Sequence, residues 1–232
     1  MKKLGNILYV TTPEAYLSLD GENVVVKKED KPAMRLPLHN LENIVCFNYP
    51  GVSPALMGAC AERNIGLAFL QPGGRFLARV SGRVKGNVLL RKKQYELSWQ
   101  EDTRRSIAAG FLLGKIANSR KVIQRGVRDH TLLVDGPALR AVSASLKELL
   151  GAVQDAKSLD VLRGLEGSAA RLYFSVFGEL ILQQKEHFFF EERSRRPPLD
   201  NMNALLSFLY SLLSMEVASA LEAVGLDPYV DF

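Results

Sequence analysis

The sequence predicts an α+β protein: an N-terminal β-rich, sandwich-like domain over residues 1–88, followed by an all-α helical domain over residues 89–232. Three observations predict it. Up to about residue 82, short apolar runs alternate with turn residues; from about Thr103 the apolar spacing switches to the 3.6-residue period of helices. The composition, 47% hydrophobic and 24% charged over 232 residues, is that of a chain able to bury a substantial core. It excludes a disordered, collagenous or disulfide-stapled chain.

Element by element, strands are expected at Asn6 to Val10, Tyr16 to Leu19, Asn23 to Lys28, Leu36 to Leu38, Asn43 to Asn48, Gly66 to Leu70 and Arg75 to Val80. Asp20-Gly21 marks a tight hairpin, because that pair readily supplies the positive φ angles such a turn requires. Ser53-Pro54 supplies a cap and a first-turn proline for one helix, on which Leu56, Met57, Cys60 and Ala61 recur at helical spacing. In the second half, Ile107, Phe111, Leu112, Ile116 and Ala117 share a stripe, and further helices are expected over Pro137 to Ala156, Ser158 to Arg163, Glu166 to Gln184 and Met202 to Val224. Asp200 can cap the last helix and Gly225 followed by Pro228 can close it. Residues 81–95 read as the connection between the two parts.

The two cysteines, Cys46 and Cys60, lie in apolar contexts with no zinc-site spacing and read as reduced core residues. No apolar run approaches the roughly 18 residues of a bilayer crossing, and no signal-peptide core is seen, so a cytoplasmic protein without a membrane partner is expected.

The formal net charge of +5 is unevenly distributed. Residues 79–128 hold 13 of the 30 Lys and Arg but only three of the 25 Asp and Glu, so the rest of the chain is net acidic. Such a strip suits a polyanion such as nucleic acid, although a solvated linker with helix faces has the same composition.

Two stretches carry more specific chemistry. In Leu162-Arg163-Gly164-Leu165-Glu166-Gly167, helical geometry places Glu166 on the face of Ala170, Tyr173, Phe177 and Leu180. A carboxylate on an apolar stripe needs a metal ion, a cationic side chain or a wet cleft, and Arg163 three residues earlier is the simplest candidate. Gly164 and Gly167 leave the backbone open to close approach. In the second stretch, Arg193, Arg195 and Arg196 precede Pro197-Pro198 and a helix start, an arrangement suited to phosphate, or simply a loop balancing Glu191 and Glu192. His39, His130 and His187 read as structural or surface residues. There is no phosphate loop, nucleophile elbow or HExxH.

Together, Arg163-Gly164-Leu165-Glu166-Gly167 with Ala169-Ala170-Arg171 and Tyr173-Phe174, the run Arg193-x-Arg195-Arg196-Pro197-Pro198-x-Asp200-x-x-Asn203-Ala204-Leu205-Leu206-Ser207-Phe208, and Gly225-Leu226-Asp227-Pro228 resemble the CRISPR-associated integrase, the Cas-one family. Gly114-Lys115-Ile116-Ala117-Asn118-Ser119-Arg120 is similar to that family's Lys-x-x-Asn-x-Arg helix. The flavour is that of type I systems, subtype I-C among them. The resemblance implies a metal-dependent DNA endonuclease and integrase that inserts foreign DNA segments as spacers into a CRISPR array. It implies a homodimer formed through the β-domain, a small Cas-two partner, and double-stranded DNA, both protospacer and array, as substrate. Mg²⁺ or Mn²⁺ would be held by a Glu, a His and an Asp, and Glu166 matches the Glu. Arg193, Arg195, Arg196, Lys115 and Arg120 become candidate DNA contacts.

The sequence departs from the family in one respect. The metal-binding His and Asp that should follow the Gly-Leu-Asp-Pro turn are not found, and Asp231 does not stand at the Asp position. A C-terminally shortened, catalytically impaired chain is therefore expected. The competing expectation is a non-catalytic dimeric DNA-binding or scaffolding protein.

Overall fold

The computed structural model describes residues 6–29, 31–82 and 87–230. Arg83 and Lys85 of the basic strip, and Asp231, lie outside the described residues. The chain divides into two compact units: residues 1–91 with 208–228, and residues 92–207 with 229–232.

The first unit is built on two four-stranded sheets. Strands β1 (Ile7–Val10), β5 (Asn43–Cys46), β7 (Gly66–Leu70) and β8 (Phe76–Val80) form one, in that order, with β1, β5 and β7 parallel and β8 antiparallel. The other has the order β4 (Lys31–Pro37), β3 (Asn23–Lys28), β2 (Tyr16–Asp20), β6 (Gly51–Val52). The β2–β3 hairpin turns at Gly21, whose φ of 57° is the left-handed conformation expected from Asp20-Gly21. Helix α1 (Pro54–Glu62) starts as the sequence predicts: Ser53 Oγ accepts from the Leu56 amide and Pro54 occupies the first turn. Leu17, Val24, Ile44, Leu56 and Leu67, drawn from both sheets and α1, are essentially inaccessible and form one core. Cys46 and Cys60 belong to it as free thiols. Burial pushes Cys46 up to about 12 and Cys60 up to about 11, so both remain protonated.

The second unit is helical: α2 (Val88–Ser98) leads into α3 (Glu101–Asp129), α4 (Gly136–Asp155) and α5 (Leu159–Ser175). Two expectations are corrected here. Val88–Ser98 forms a helix where a connecting segment was expected, and the helices expected at 158–163 and 166–184 are a single helix ending at Ser175, followed by a 3-10 turn at Phe177–Leu180. Ser158 caps α5 through the Val161 amide, and burial of Leu162 and Ala169, with Val176 just beyond the helix end, carries it through both glycines. Asp135 caps α4 through the Ala138 amide. Leu112, Ile116, Ile123, Leu139, Leu146, Val153 and Leu162 close the core between α3, α4 and α5.

Helix α6 (Asn201–Ala223) runs through both units. Asp200 caps it through the Asn203 amide, and Gly225, with φ of 86°, ends it as expected. It corrects one reading, since by length and composition it is long and apolar enough to cross a membrane. In the structure Phe208, Leu212 and Met215 lie against Val45 and Leu70 of the sheet and Phe47 just after β5; Glu216 accepts from Asn43 Nδ2 at 2.7 Å and Glu222 pairs with Arg79.

Candidate nucleic-acid interface

Glu166 lies in the middle of α5, not in a first helical turn, and its side chain is half exposed. The buried line of α5 passes through Leu162 and Ala169 with Glu166 at its shoulder. Its partner is Lys115, 51 residues earlier on α3, whose Nζ lies 2.6 Å from Oε1. Arg163, the simplest candidate from sequence, pairs instead with Asp160 at 2.7 Å. Around this pair, the positions a Cβ would take at Gly114, Gly164 and Gly167 meet no atom within 4 Å, so the surface beside the carboxylate is open.

One carboxylate paired with an ammonium does not by itself make a divalent-metal site. Among the described residues no three His, Cys, Asp or Glu side chains gather, whereas Mg²⁺ or Mn²⁺ takes about six oxygen or nitrogen donors. The described residues supply at most one of them, through Glu166.

The arginine run is fixed by a residue that sequence reasoning passed over. Asn203, fully buried at the start of α6, accepts at Oδ1 from Arg193 Nη1 at 2.7 Å and from the Ser194 amide at 3.0 Å. Its Nδ2 donates to the Glu192 carbonyl at 2.8 Å and to Asp200 Oδ2 at 2.6 Å. Arg193 also donates to the Ser194 carbonyl and, at 3.4 Å, to Ser207 Oγ, so its fork is turned into the fold. The Arg196-Pro197 peptide is cis. Arg195 and Arg196 are exposed, with no hydrogen bond or ion pair among the described residues, and present their guanidiniums outward. The spacing of Asp200, Asn203 and Ser207 at three and four residues was the signal in the sequence, since it puts three short polar side chains on one helical face.

Several cations of the basic strip are engaged within the protein, while Lys92 and Lys121 are exposed with no hydrogen bond or ion pair among the described residues. Arg105 donates to the Ala156 carbonyl at the C-terminus of α4 at 3.1 Å, where a cation also offsets the helix dipole. Arg120 Nε donates to the Ser143 carbonyl at 2.9 Å and is half-buried. Arg125 and Arg128 both pair with Asp129, holding that carboxyl below the usual carboxylate range, chiefly through the Arg128 hydrogen bond. Lys115 and Arg120 therefore sit five residues apart on α3 with different surroundings, one at an open surface and one in a helix–helix contact.

A β-rich unit joined to a helical unit, with an open acidic position on one helix and an ordered arginine loop, defines a class of α+β protein suited to a polyanionic ligand. The chain belongs to the family described as CRISPR associated protein Cas1, whose model matches residues 8–232. It is 44% identical over 232 residues to CRISPR-associated endonuclease Cas1 1 of Chlorobaculum tepidum, covering all of this chain and 68% of that protein. It is 48% identical over 240 residues to CRISPR-associated endonuclease Cas1 2 of Rhodospirillum rubrum, again with all of this chain and 68% of the relative. Among solved structures, it matches a chain of a Cas6-RT-Cas1--Cas2 complex with a TM-score of 0.71 and 27% identity, over 96% of this chain and 24% of that one.

Proposed function

We propose that the chain acts as a DNA endonuclease and integrase of CRISPR adaptation, inserting foreign DNA segments as spacers into a CRISPR array. The match to the Cas1 family over residues 8–232, with relatives named as endonucleases, carries this reading. Double-stranded DNA is the substrate, as protospacer and as array. The protein works in the cytoplasm as a homodimer, and its Cas2 partner is suggested by the assembly named in the related complex. Glu166 is the catalytic carboxylate and one donor to Mg²⁺ or Mn²⁺. Arg195 and Arg196 hold phosphates, with Lys115 beside the reacting strand; Arg193 and Arg120 act by fixing the loop and the α3–α4 contact. Backbone contacts of this kind are salt-sensitive and independent of sequence. With no His, Cys, Asp or Glu cluster among the described residues to complete a metal site around Glu166, the chain by itself performs strand transfer weakly.

The pairing of Glu166 with Lys115 favours a second reading, a non-catalytic DNA-binding scaffold. A strand-transfer and nicking assay on labelled duplex, with Mg²⁺ or Mn²⁺, separates the two. Under the first reading Glu166→Ala removes metal-dependent product while a gel-shift measurement of DNA binding changes little. No product under any condition, with DNA binding retained, leaves the scaffold reading, whereas product that is independent of both metal and Glu166 refutes the role given to Glu166. Strong metal-dependent transfer by this chain, abolished by Glu166→Ala, refutes its weakness.

A further inference from the structure

The helical unit contains a cavity of about 320 Å³ between α3 and α4. Arg120 lines it from α3, and Arg140 and Lys147 line it from α4, with no carboxylate among the lining residues. The spacing explains the grouping: 120, 124 and 127 fall on one face of α3, while 140, 144 and 147 fall on one face of α4. Two rows thus border one groove. Its floor is apolar, formed by Ile123, Val127, Leu139 and Ala144, and Gln124 and Ser143 add polar atoms.

The three cations are held differently. Arg120 is anchored through Nε to the Ser143 carbonyl. Arg140 folds back over Gly136, where a Cβ would stand 3.1 Å from its Nη1, so glycine at 136 makes room for the guanidinium. Neither Arg140 nor Lys147 has a hydrogen bond or ion pair among the described residues. Three like charges around one cavity repel one another, and an anion between them relieves that repulsion. A small hydrated anion would gain nothing from the apolar floor. A nucleotide uses both features, its base against Val127 and Ala144 and its phosphate on Arg140 and Lys147. The volume lies at the low end for ligand pockets and suits one nucleotide, not a duplex.

We propose that the α3–α4 cavity takes one phosphate-bearing nucleotide of a single DNA strand, with Arg140 and Lys147 as its phosphate contacts. That the ligand is DNA rests on the function proposed above; the cavity's chemistry does not. Fluorescence anisotropy with a labelled twelve-nucleotide single strand, over a series of salt concentrations, tests the site. The double substitution Arg140→Ala with Lys147→Ala is expected to weaken binding about tenfold near 0.1 M salt. It should also flatten the slope of log K against log salt by about 0.7, the single-strand value for one phosphate no longer neutralised. The exchange Arg140→Lys with Lys147→Arg should retain binding. If the double variant melts early, Arg140→Gln alone must show about half of the slope change. An unchanged affinity and slope in a folded double variant overturns the site, and so does displacement of the strand by deoxyadenosine monophosphate at equal nucleotide concentration. If the wild-type chain binds neither single strand nor duplex, the function above fails; if it binds and the double variant binds equally, only this site fails.

Discussion

Replacing Asn203 by alanine should release the arginine loop and destabilise the helical unit by about 3–5 kcal/mol. The magnitude comes from four hydrogen bonds at one inaccessible side chain: from Arg193 and the Ser194 amide to Oδ1, and from Nδ2 to the Glu192 carbonyl and the Asp200 carboxylate. A neutral bond contributes about 1 kcal/mol net and one to a charged group about 1.5–3 kcal/mol, while water at the partly exposed partners recovers a share. Alanine also leaves a small void where the amide stood. Urea unfolding followed by helical circular dichroism reads the loss, and in a thermal melt it corresponds to a fall of about 6–20 °C for a protein of this size. Trypsin cleavage after Arg195 provides a local reading, because a released loop is cut before the unit unfolds. A double-mutant cycle with Arg193→Ala should show coupling of about 1 kcal/mol or more. An Asn203→Ala protein within about 0.5 kcal/mol of wild type, with its loop still resistant to trypsin, would refute the anchoring role.

Three further outcomes are expected. Cys46 and Cys60 should ignore a thiol reagent in the native protein at neutral pH and react fully after unfolding, since both are buried with raised pKa values. Because these folded-state values exceed the unfolded ones, the unfolded chain binds fewer protons above about pH 9, so their contribution is complete below that pH and is lost as pH rises toward 11 and 12. Gly74→Ala should cost about 2 kcal/mol or more by thermal melt: φ is 84° there and a Cβ would stand 2.3 Å from the Phe208 ring, whereas Gly73→Ala, with nothing within 4 Å, is expected to be close to neutral. Lys115→Met should change stability by less than about 1 kcal/mol, because both members of its pair with Glu166 are half exposed; a larger loss in urea unfolding would make the pair structural.

What the sequence discloses and what it hides follow the range of the interactions. The hairpin at Gly21, the Ser53 cap, the Asp200 cap and the Gly225 stop are all legible because each is satisfied within a few residues. Strand β6, two residues long and parallel to β2, carries too little pattern to be seen. Helix α5 looked like two helices because Gly164 and Gly167 each cost about 1 kcal/mol of helix propensity, a penalty that packing of Leu162 and Ala169 outweighs. Periodicity put Glu166 on the stripe of Ala170, Tyr173, Phe177 and Leu180, but α5 ends at Ser175 and Glu166 is exposed beside the buried line of Leu162 and Ala169: the 3.6 period says which residues share a face, not where the helix ends or which neighbour covers it. Residues 208–224 read as part of a helical run, yet their apolar stripe is complementary to Val45 of the sheet and Phe47 just after it, a pairing more than 150 residues apart.

The same limit applies to charge. Counting residues along the chain marks 79–128 as the anion-binding stretch, but in the structure Arg79, Arg105, Arg120, Arg125 and Arg128 of that stretch are engaged with Glu222, Ala156, Ser143 and Asp129. Arg105 and Arg120 reach from α3 to carbonyls of α4 and its C-terminal end, Arg125 and Arg128 pair with Asp129 on their own helix, and Arg79 pairs from β8, which is what a flexible stem with a five-donor head does well. Arg195, Arg196, Arg140 and Lys147, all outside the strip, are exposed cations without a hydrogen bond or ion pair among the described residues, as are Lys92 and Lys121 within it. Local charge density and available charge are thus different quantities. The salt dependence of binding separates them: neutralising Arg105 should lower stability and leave the slope of log K against log salt unchanged, while neutralising Arg195 or Arg196 should leave stability unchanged and flatten the slope by about 0.9 per duplex phosphate contact.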